Sequence, residues 1–163
     1  MPLLATTRTT ILEPFSRHEL AETNVRRPPA KLAAPPAPLV LVVDDHEDSR
    51  IIARVVLESA GFRVRDAACG VEGLTLAKSL RPDVLLLDLI LPGIDGWEVA
   101  RRLRRDADLN GMPIIALTAL AQLHERDIAR DAGCDEVLTK PVSPSVIVRT
   151  VRSFLTRSLS VAS

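Results

Sequence analysis

The sequence of 163 residues lacks several features that would have assigned it to a functional class at once. It contains four aromatic residues and no tyrosine, which argues against recognition of single-stranded nucleic acid, because that recognition needs aromatic platforms for base stacking. Its 21 basic and 21 acidic residues cancel, so no overall charge attracts nucleic acid or a membrane surface. These absences indicate a small, neutral globular protein.

Cysteines and long apolar runs are scarce as well. Cys69 and Cys134 are too few for a disulfide framework or for a metal site of their own. No apolar run reaches the ~18 residues of a membrane span, and the N-terminus lacks the apolar core of a secretion signal. We therefore expect a cytoplasmic protein without membrane insertion.

The composition changes near residue 38. Residues 1–38 hold seven of the twelve prolines and no glycine, and their apolar residues follow no sustained period. This predicts a disordered Pro/Ala-rich N-terminal arm over 1–38. The folded domain is then expected over 39–158, followed by a short tail over 159–163.

From residue 39 onward, strand patterns alternate with helix patterns. Short runs rich in apolar residues predict five strands, at 39–43, 62–67, 84–87, 113–117 and 135–138. Helical periodicity with glycine and proline boundaries predicts five helices, at 48–60, 70–80, 95–106, 121–132 and 143–157. The alternation predicts an α/β, flavodoxin-like doubly wound (βα)5 three-layer sandwich, with a parallel five-stranded sheet in the order 2-1-3-4-5 and the polar second strand at an edge.

Three carboxylates follow the ends of two central strands. Asp44 and Asp45 come directly after the first strand, and Asp88 comes directly after the third. In this topology both strand ends meet where the strand order reverses, which is where such folds bind ligands. Clustered anions need a counter-charge, and a hard divalent cation, Mg²⁺ first, supplies it. Helix capping also favours acidic residues, but it does not explain Asp88 on the neighbouring strand.

Two further polar residues lie at corresponding strand ends. Thr118 ends the fourth strand, and Lys140 follows the fifth. A hydroxyl and an ammonium directed at the same crevice would bind an anion such as a phosphoryl group. Taken singly, Thr118 is as well explained as a helix cap and Lys140 as a surface lysine. The agreement of all these positions at carboxyl strand ends favours a site.

In their order and spacing, these residues resemble the receiver domain of response regulators, the CheY-like superfamily of stand-alone, single-domain type. The resemblance covers about residues 39–157 and rests on four stretches, at 42–45, 83–96, 113–119 and 140–141. It implies that Asp88 accepts a phosphoryl group from a phosphohistidine. It also implies a cis Lys140-Pro141 bond.

The same resemblance assigns the other site residues. It implies a Mg²⁺ site formed by Asp44, Asp45, Asp88 and the backbone carbonyl of Ile90. It further implies that the phosphoryl group is bound, and the switch carried, by residues of the fourth and fifth strand ends, namely Thr118, Ala119, Lys140 and Val137.

Two positions depart from the pattern of the family. Receivers often carry an aromatic residue three positions before the lysine, where it packs inward as the threonine moves, and here that residue is Val137. We therefore expect a weaker switch, or one that runs through Leu120 and Leu138. Ile90 is apolar where a polar side chain could position water, so we hypothesise slow self-dephosphorylation.

The first helix has an apolar surface wider than one core-facing stripe requires. Ile51 and Val55 are expected to emerge beside the acidic pocket, where a histidine kinase or a histidine-phosphotransfer protein could dock. A helix covered by the N-terminal arm is the alternative.

The arginine-rich run at 101–105 is interpreted as a solvated helix face, not a nucleic-acid contact. His46 is interpreted as a surface residue that could touch the site.

We therefore expect a single-domain response regulator of a two-component phosphorelay that signals by phosphorylation-dependent binding to an unknown target protein. It is not expected to be an enzyme beyond catalysing its own phosphorylation and dephosphorylation. One alternative is a phosphate shuttle or sink without a dedicated target. Another is a metal-dependent phosphohydrolase with a nucleophilic aspartate, a class that needs a second aspartate where Ile90 lies.

Overall fold

A computed structural model of the chain describes residues 36–119 and 123–161, without the side chains of 123–125 and 157–161. Almost all of the predicted arm, Leu120 and residues 162–163 lie outside the described residues. Within them, strands and helices alternate along the chain as the sequence predicts.

The strands are β1 (Leu39–Val43), β2 (Arg63–Ala67), β3 (Val84–Asp88), β4 (Ile114–Thr118) and β5 (Glu136–Thr139). The helices are α1 (Glu47–Ser59), α2 (Gly70–Leu80), α3 (Gly96–Arg105), α4 (Leu123–Asp131) and α5 (Pro144–Val161). Most boundaries differ from the predicted ones by one or two residues. The larger difference is α5, which continues to Val161, because no glycine or proline follows residue 144 to stop it.

The sheet is parallel, and its strand order β2-β1-β3-β4-β5 confirms the predicted doubly wound topology. β1, β3 and β4 are buried along their whole length, whereas the edge strand β2 alternates between exposed and buried residues. Central strands covered by helices on both faces must be apolar throughout, since no water reaches either face to solvate polar side chains.

Alternate residues of each strand pack into two separate cores. Val40 and Val42 of β1 lie in one core with Leu57 of α1 and Val151 of α5. Their neighbours Leu41 and Val43 lie in the other core, with residues of α2, α3 and α4. The period-two alternation of strand side chains therefore assigns the helices to two layers, with the sheet between them.

One glycine lets a helix approach the strand end that carries Asp88. A Cβ on Gly96 would lie 2.3 Å from the Asp88 carbonyl oxygen, and the Gly96 amide donates a hydrogen bond to the Leu89 carbonyl. Asp95 caps the same helix, because its carboxylate accepts a hydrogen bond from the Glu98 amide at 2.7 Å. The loop after β3 is therefore held closely against α3.

Arg104 corrects the interpretation of residues 101–105 as a solvated face. Its guanidinium donates to the carbonyls of Gly133, Asn110 and Met112 at 2.7–2.9 Å and pairs with Asp135 at 2.7 Å. The fork of five donors suits several carbonyls at once. A Cβ on Gly133 would lie 2.4 Å from Arg104 Cγ, so the close approach also requires a glycine there. A pattern of charges along one helix cannot reveal these partners, because they lie outside the helix, in the loop after α3 and in the turn before β5.

Replacing Arg104 by alanine should destabilise the fold by about 2–4 kcal/mol, because three carbonyls, two of them in partly buried hydrogen bonds, lose a charged donor. Urea unfolding monitored by circular dichroism measures the change. Arg105→Ala is the matched control, since Arg105 is exposed on the same helix, and it should change the free energy of unfolding by less than ~0.5 kcal/mol. Equal effects of the two substitutions would contradict the structural role of Arg104.

Candidate functional site

The carboxyl ends of four strands bring the predicted polar residues together. Asp44 and Asp45 follow β1, while Asp88 and Thr118 are the last residues of β3 and β4. Lys140 follows β5, and its backbone amide donates to the Thr118 carbonyl at 2.7 Å. Neighbouring parallel strands end at the same edge of the sheet, so residues that lie up to 96 positions apart come into contact there.

Lys140 bridges two of the carboxylates. Its ammonium lies 2.7 Å from Asp44 Oδ2 and 2.5 Å from Asp88 Oδ2. Asp44 is 2% and Asp88 5% exposed, and buried carboxylates of this kind must be paired. The lysine is therefore the internal counter-charge of the site, not a solvated surface residue.

The ionisation of Lys140 reflects this contact. Burial by itself lowers the pKa of the Lys140 ammonium, but the hydrogen bonds that it donates to Asp44 and Asp88, together with the negative charges of these carboxylates, raise the pKa by more. The net effect is a pKa above the ordinary lysine value. Lys140 therefore carries its positive charge at neutral pH.

The loop after β1 is held by a residue that was not predicted from the sequence. Arg50 of α1 donates to the Asp44 carbonyl at 2.8 Å and pairs with Asp66 of β2 at 3.3 Å. The Asp44 amide in turn donates to the Ala67 carbonyl. The one available signal was a basic residue on the first turns of a helix that follows an acidic loop, which is too common a pattern to be informative.

The donors around Asp44 fit a divalent cation. Among the described residues, Asp44, Asp45, His46 and Asp88 form a group whose potential ligand atoms all lie within 4.8 Å of one another. Carboxylate oxygens are the ligands that Mg²⁺ prefers. His46 was interpreted mainly as a surface residue, and the structure brings it into this cluster, with Nδ1 2.9 Å from Asp45 Oδ1.

Each carboxylate oxygen of Asp88 contacts a different partner. Oδ2 contacts Lys140, and Oδ1 accepts a hydrogen bond from the Ile90 amide at 2.9 Å. The Ile90 side chain is 49% exposed, and Ala119 is exposed just after the end of β4. The carboxylate is therefore held in one orientation beside a small, accessible surface.

Thr118 and Val137 lie deeper than the carboxylates. Thr118 is 1% exposed, and Val137 is 5% exposed in the core beneath α2, α3 and α4. Val137 pairs with Ala116 of β4, two residues before Thr118. The peptide bond between Lys140 and Pro141 is cis, which confirms the predicted isomer.

A groove of about 470 Å³ extends from the acidic pocket between α1 and the start of α5. It is lined by Asp44 and Lys140 and by apolar side chains that include Ile52, Leu117 and Ile147. Ile51 and Val55 are 50% and 57% exposed on α1 but do not line this groove, whereas Ile52, which is 57% exposed, does. The exposed apolar surface of α1 is therefore broader than the two residues that the sequence singled out.

The family model of the response regulator receiver domain matches residues 40–152 of the chain. The chain belongs to this family. Receiver domains are signalling domains of two-component systems and bind Mg²⁺ at an acidic pocket, and the described residues of this chain include a carboxylate cluster that could hold a metal ion.

Named relatives and solved structures agree with this assignment. The DNA-binding dual master transcriptional regulator RpaA of Synechocystis is 39% identical over 74% of this chain and 50% of its own length. The polar-differentiation response regulator DivK of Brucella anthropi is 34% identical over 71% of this chain and 94% of its own. The chain thus spans about half the length of the first relative and nearly all of the second.

Two solved receiver structures superpose closely. A response regulator from Chloroflexus aurantiacus is 34% identical, with a TM-score of 0.71 over 74% of this chain and 98% of that one. The receiver domain of a sensor histidine kinase from Pseudomonas aeruginosa, solved with a magnesium ion in its active site cleft, is 30% identical, with a TM-score of 0.69 over 74% of this chain and 98% of that one.

Within the described part of this chain, no helix has the length and hydrophobicity needed to cross a membrane.

Replacing Lys140 by methionine should lower the free energy of unfolding at neutral pH by about 1–3 kcal/mol, because Asp44 and Asp88 lose their counter-charge. The folded-state pKa of Lys140 is raised, so its contribution is complete below the unfolded value and is lost as the pH rises through the folded one. Urea unfolding in metal-free buffer measures the free energy of unfolding of the unsubstituted and the Lys140→Met protein. The difference between the two values should become smaller only in strongly alkaline solution.

Lys78→Met is the matched control, because Lys78 is 63% exposed and lies 3.5 Å from Asp106. An exposed pair of this kind contributes little. A Lys140→Met protein as stable as the unsubstituted protein at neutral pH would contradict the counter-charge role.

Proposed function

We propose that the protein is a phosphoacceptor of a two-component phosphorelay and that Asp88 is the residue phosphorylated. The observation that carries the proposal is the contact between the Asp88 carboxylate and the Lys140 ammonium at the end of β3. The carboxylate is oriented by two hydrogen bonds and lies beside a residue that stays cationic at neutral pH. This combination suits nucleophilic attack on a phosphoryl group, since the lysine offsets the charge that develops.

The transfer step is a displacement at phosphorus. A carboxylate oxygen of Asp88 forms a bond to phosphorus as the phosphorus–nitrogen bond of a phosphohistidine breaks, and the bonding electrons return to the imidazole nitrogen. Asp44, Asp45, Asp88 and the Ile90 carbonyl would hold Mg²⁺, which would offset negative charge on the phosphoryl group. Lys140 pairs with the new acyl phosphate, and Thr118 and Ala119 supply hydrogen-bond donors at the end of β4.

The signal then leaves through the end of β4. The phosphoryl group adds negative charge and acceptor oxygens, and the Thr118 hydroxyl moves toward them, which shifts the loop before α4. Val137 pairs with Ala116 of β4 in the core, and we expect it to repack without the aromatic ring that many receivers have there. The change is a population shift between two arrangements of one fold.

The exposed apolar part of α1 is the surface that we propose for the phosphodonor. Ile51, Ile52 and Val55 are each at least half exposed, and a groove with apolar walls leads from α1 to Asp44 and Lys140. A histidine kinase or a histidine-phosphotransfer protein docked on α1 could present a phosphohistidine to Asp88. Monomeric proteins rarely expose such patches without a partner.

The signal is proposed to pass to a target protein in the cytoplasm and not to nucleic acid. Three of the four arginines of α3 have partners within the protein, because Arg101 and Arg102 pair with Glu98 and Arg104 binds carbonyls. RpaA is a DNA-binding regulator twice as long as the matched segment, whereas DivK is matched over nearly its whole length. The DivK comparison supports a receiver that acts as a single domain.

Incubation with a small-molecule phosphodonor and Mg²⁺ should add one phosphoryl group per chain, measured by intact mass. Asp88→Asn should abolish the addition, because an amide cannot act as the nucleophile, and removal of Mg²⁺ with a chelator should reduce it at least tenfold. Asp127→Asn is the control, since Asp127 is an exposed carboxylate on α4. Undiminished phosphorylation of the Asp88→Asn protein would overturn the proposal.

The double substitution Ile51→Ser and Val55→Ser should slow phosphotransfer from a protein donor by at least tenfold, because the apolar contact is lost. The donor is the fastest in a panel of phosphorylated kinases and phosphotransfer domains from the source organism. Phosphorylation by the small molecule should be unchanged.

Val71→Ser serves as the matched control for this double variant, because Val71 is 60% exposed on α2. An equal loss of transfer in the control, or no loss in the double variant, would rule out α1 as the donor surface.

A pull-down with the phosphorylated and unphosphorylated protein then separates a signalling role from a phosphate sink, since a sink has no target that binds only one of the two states.

A further inference from the structure

His46 brings a nitrogen ligand into the carboxylate cluster. Its Nδ1 lies 2.9 Å from Asp45 Oδ1 and 3.6 Å from Asp44 Oδ1. The imidazole is 72% exposed, and the Asp45 side chain is 32% exposed. An ion from solution therefore reaches this side of the cluster without any rearrangement of the core.

The two oxygens of Asp44 face different partners. Oδ2 contacts the Lys140 ammonium at 2.7 Å, whereas Oδ1 accepts the His46 amide at 2.9 Å and faces the imidazole. The lysine neutralises only one side of the carboxylate. The other side, with Asp45 and His46, has several electron-pair donors and one backbone N–H.

The spacing of these donors suits one small dication. Metal–ligand bonds of about 2.1 Å place ligands at right angles about 3 Å apart and opposite ligands about 4.2 Å apart. The distances from His46 Nδ1 to the two carboxylate oxygens, 2.9 Å and 3.6 Å, lie within these limits. The widest spacing in the group, 4.8 Å, exceeds them by about half an ångström, which small side-chain rotations can close.

We propose that His46 is a further protein ligand of this metal site and gives it a preference for borderline transition-metal dications of the Zn²⁺ type over Mg²⁺. Imidazole nitrogen binds such ions well, whereas Mg²⁺ favours oxygen. The inference rests on the proposed function, because it takes Asp44, Asp45 and Asp88 as the other ligands. In the alternative, Nδ1 carries a proton and only donates a hydrogen bond to Asp45.

Calorimetric titration of the full chain with Zn²⁺ and, separately, with Mg²⁺ at one fixed pH and ionic strength tests the inference. The protein should bind Zn²⁺ at least tenfold more tightly than Mg²⁺. His46→Gln should weaken Zn²⁺ binding by about tenfold or more, since even indirect partners of a metal contribute that much, and should change Mg²⁺ affinity less than about twofold.

Nitrogen NMR of the imidazoles provides a second readout at the same site. Zn²⁺ should shift the Nδ1 resonance that His46→Gln removes, and Mg²⁺ should leave it in place. His18→Gln and His124→Gln, which remove the other imidazoles, should keep the Zn²⁺ affinity of the unsubstituted protein. An unmoved Nδ1 resonance, or equal Zn²⁺ affinity in the His46→Gln protein, would overturn the role of His46.

Asp45→Asn distinguishes failure of this inference from failure of the proposed function. It should weaken the binding of both ions, because Asp45 ligates either one. If it does so while His46→Gln leaves Zn²⁺ binding unchanged, the His46 role fails and the carboxylate site stands. If Asp45→Asn changes the binding of neither ion, the proposed carboxylate metal site is wrong, and the His46 inference is wrong with it.

Discussion

The contact of one ammonium with two nearly buried carboxylates is the constraint on which the site depends. Asp44 and Asp88 lie side by side at 2% and 5% exposure, and two carboxylates with so little access to water need a cation beside them. Lys140 supplies that charge from 96 positions after Asp44 and 52 positions after Asp88. The lysine can do so only because β5 ends at the same edge as β1 and β3, and because its backbone is bonded to the end of β4. The electrostatics of the site and the topology of the sheet therefore depend on each other.

Two arginines outside the site hold loops of the fold, mainly by donating hydrogen bonds to backbone carbonyls. Arg50 holds the loop after β1 by its carbonyl, and Arg104 binds three carbonyls that surround the start of β4 and the turn before β5. Both arginines satisfy carbonyls that loops would otherwise leave without donors. Arg50 therefore fixes the loop after β1 from outside the site, whereas Arg104 fixes the amino ends of β4 and β5, at the opposite edge of the sheet. Asp45, His46 and Ile90 stay accessible at the mouth of the site.

Most of the fold could be predicted because its signals are local. A fully apolar strand such as residues 84–87 and a glycine at position 61 after a helical pattern each report on their own neighbourhood. The end of α5 was missed because the chain after residue 157 contains no stop signal. Arg104 was misjudged because its partners come from two loops, and His46 was undervalued because a side chain beside two aspartates can face either the site or the solvent.

The sequence by itself determined the order of strands and helices and the positions of the five strand-end residues, since periodicity and residue type are written along the chain. It also carried the resemblance that singles out Asp88. Tertiary structure alone decided which charges meet. Lys140 joins Asp44 across 96 positions, the imidazole of His46 turns toward the carboxylates, and Ile52 rather than Ile51 lines the groove beside them. These outcomes depend on side-chain directions and on contacts between distant segments, which one-dimensional spacing does not contain.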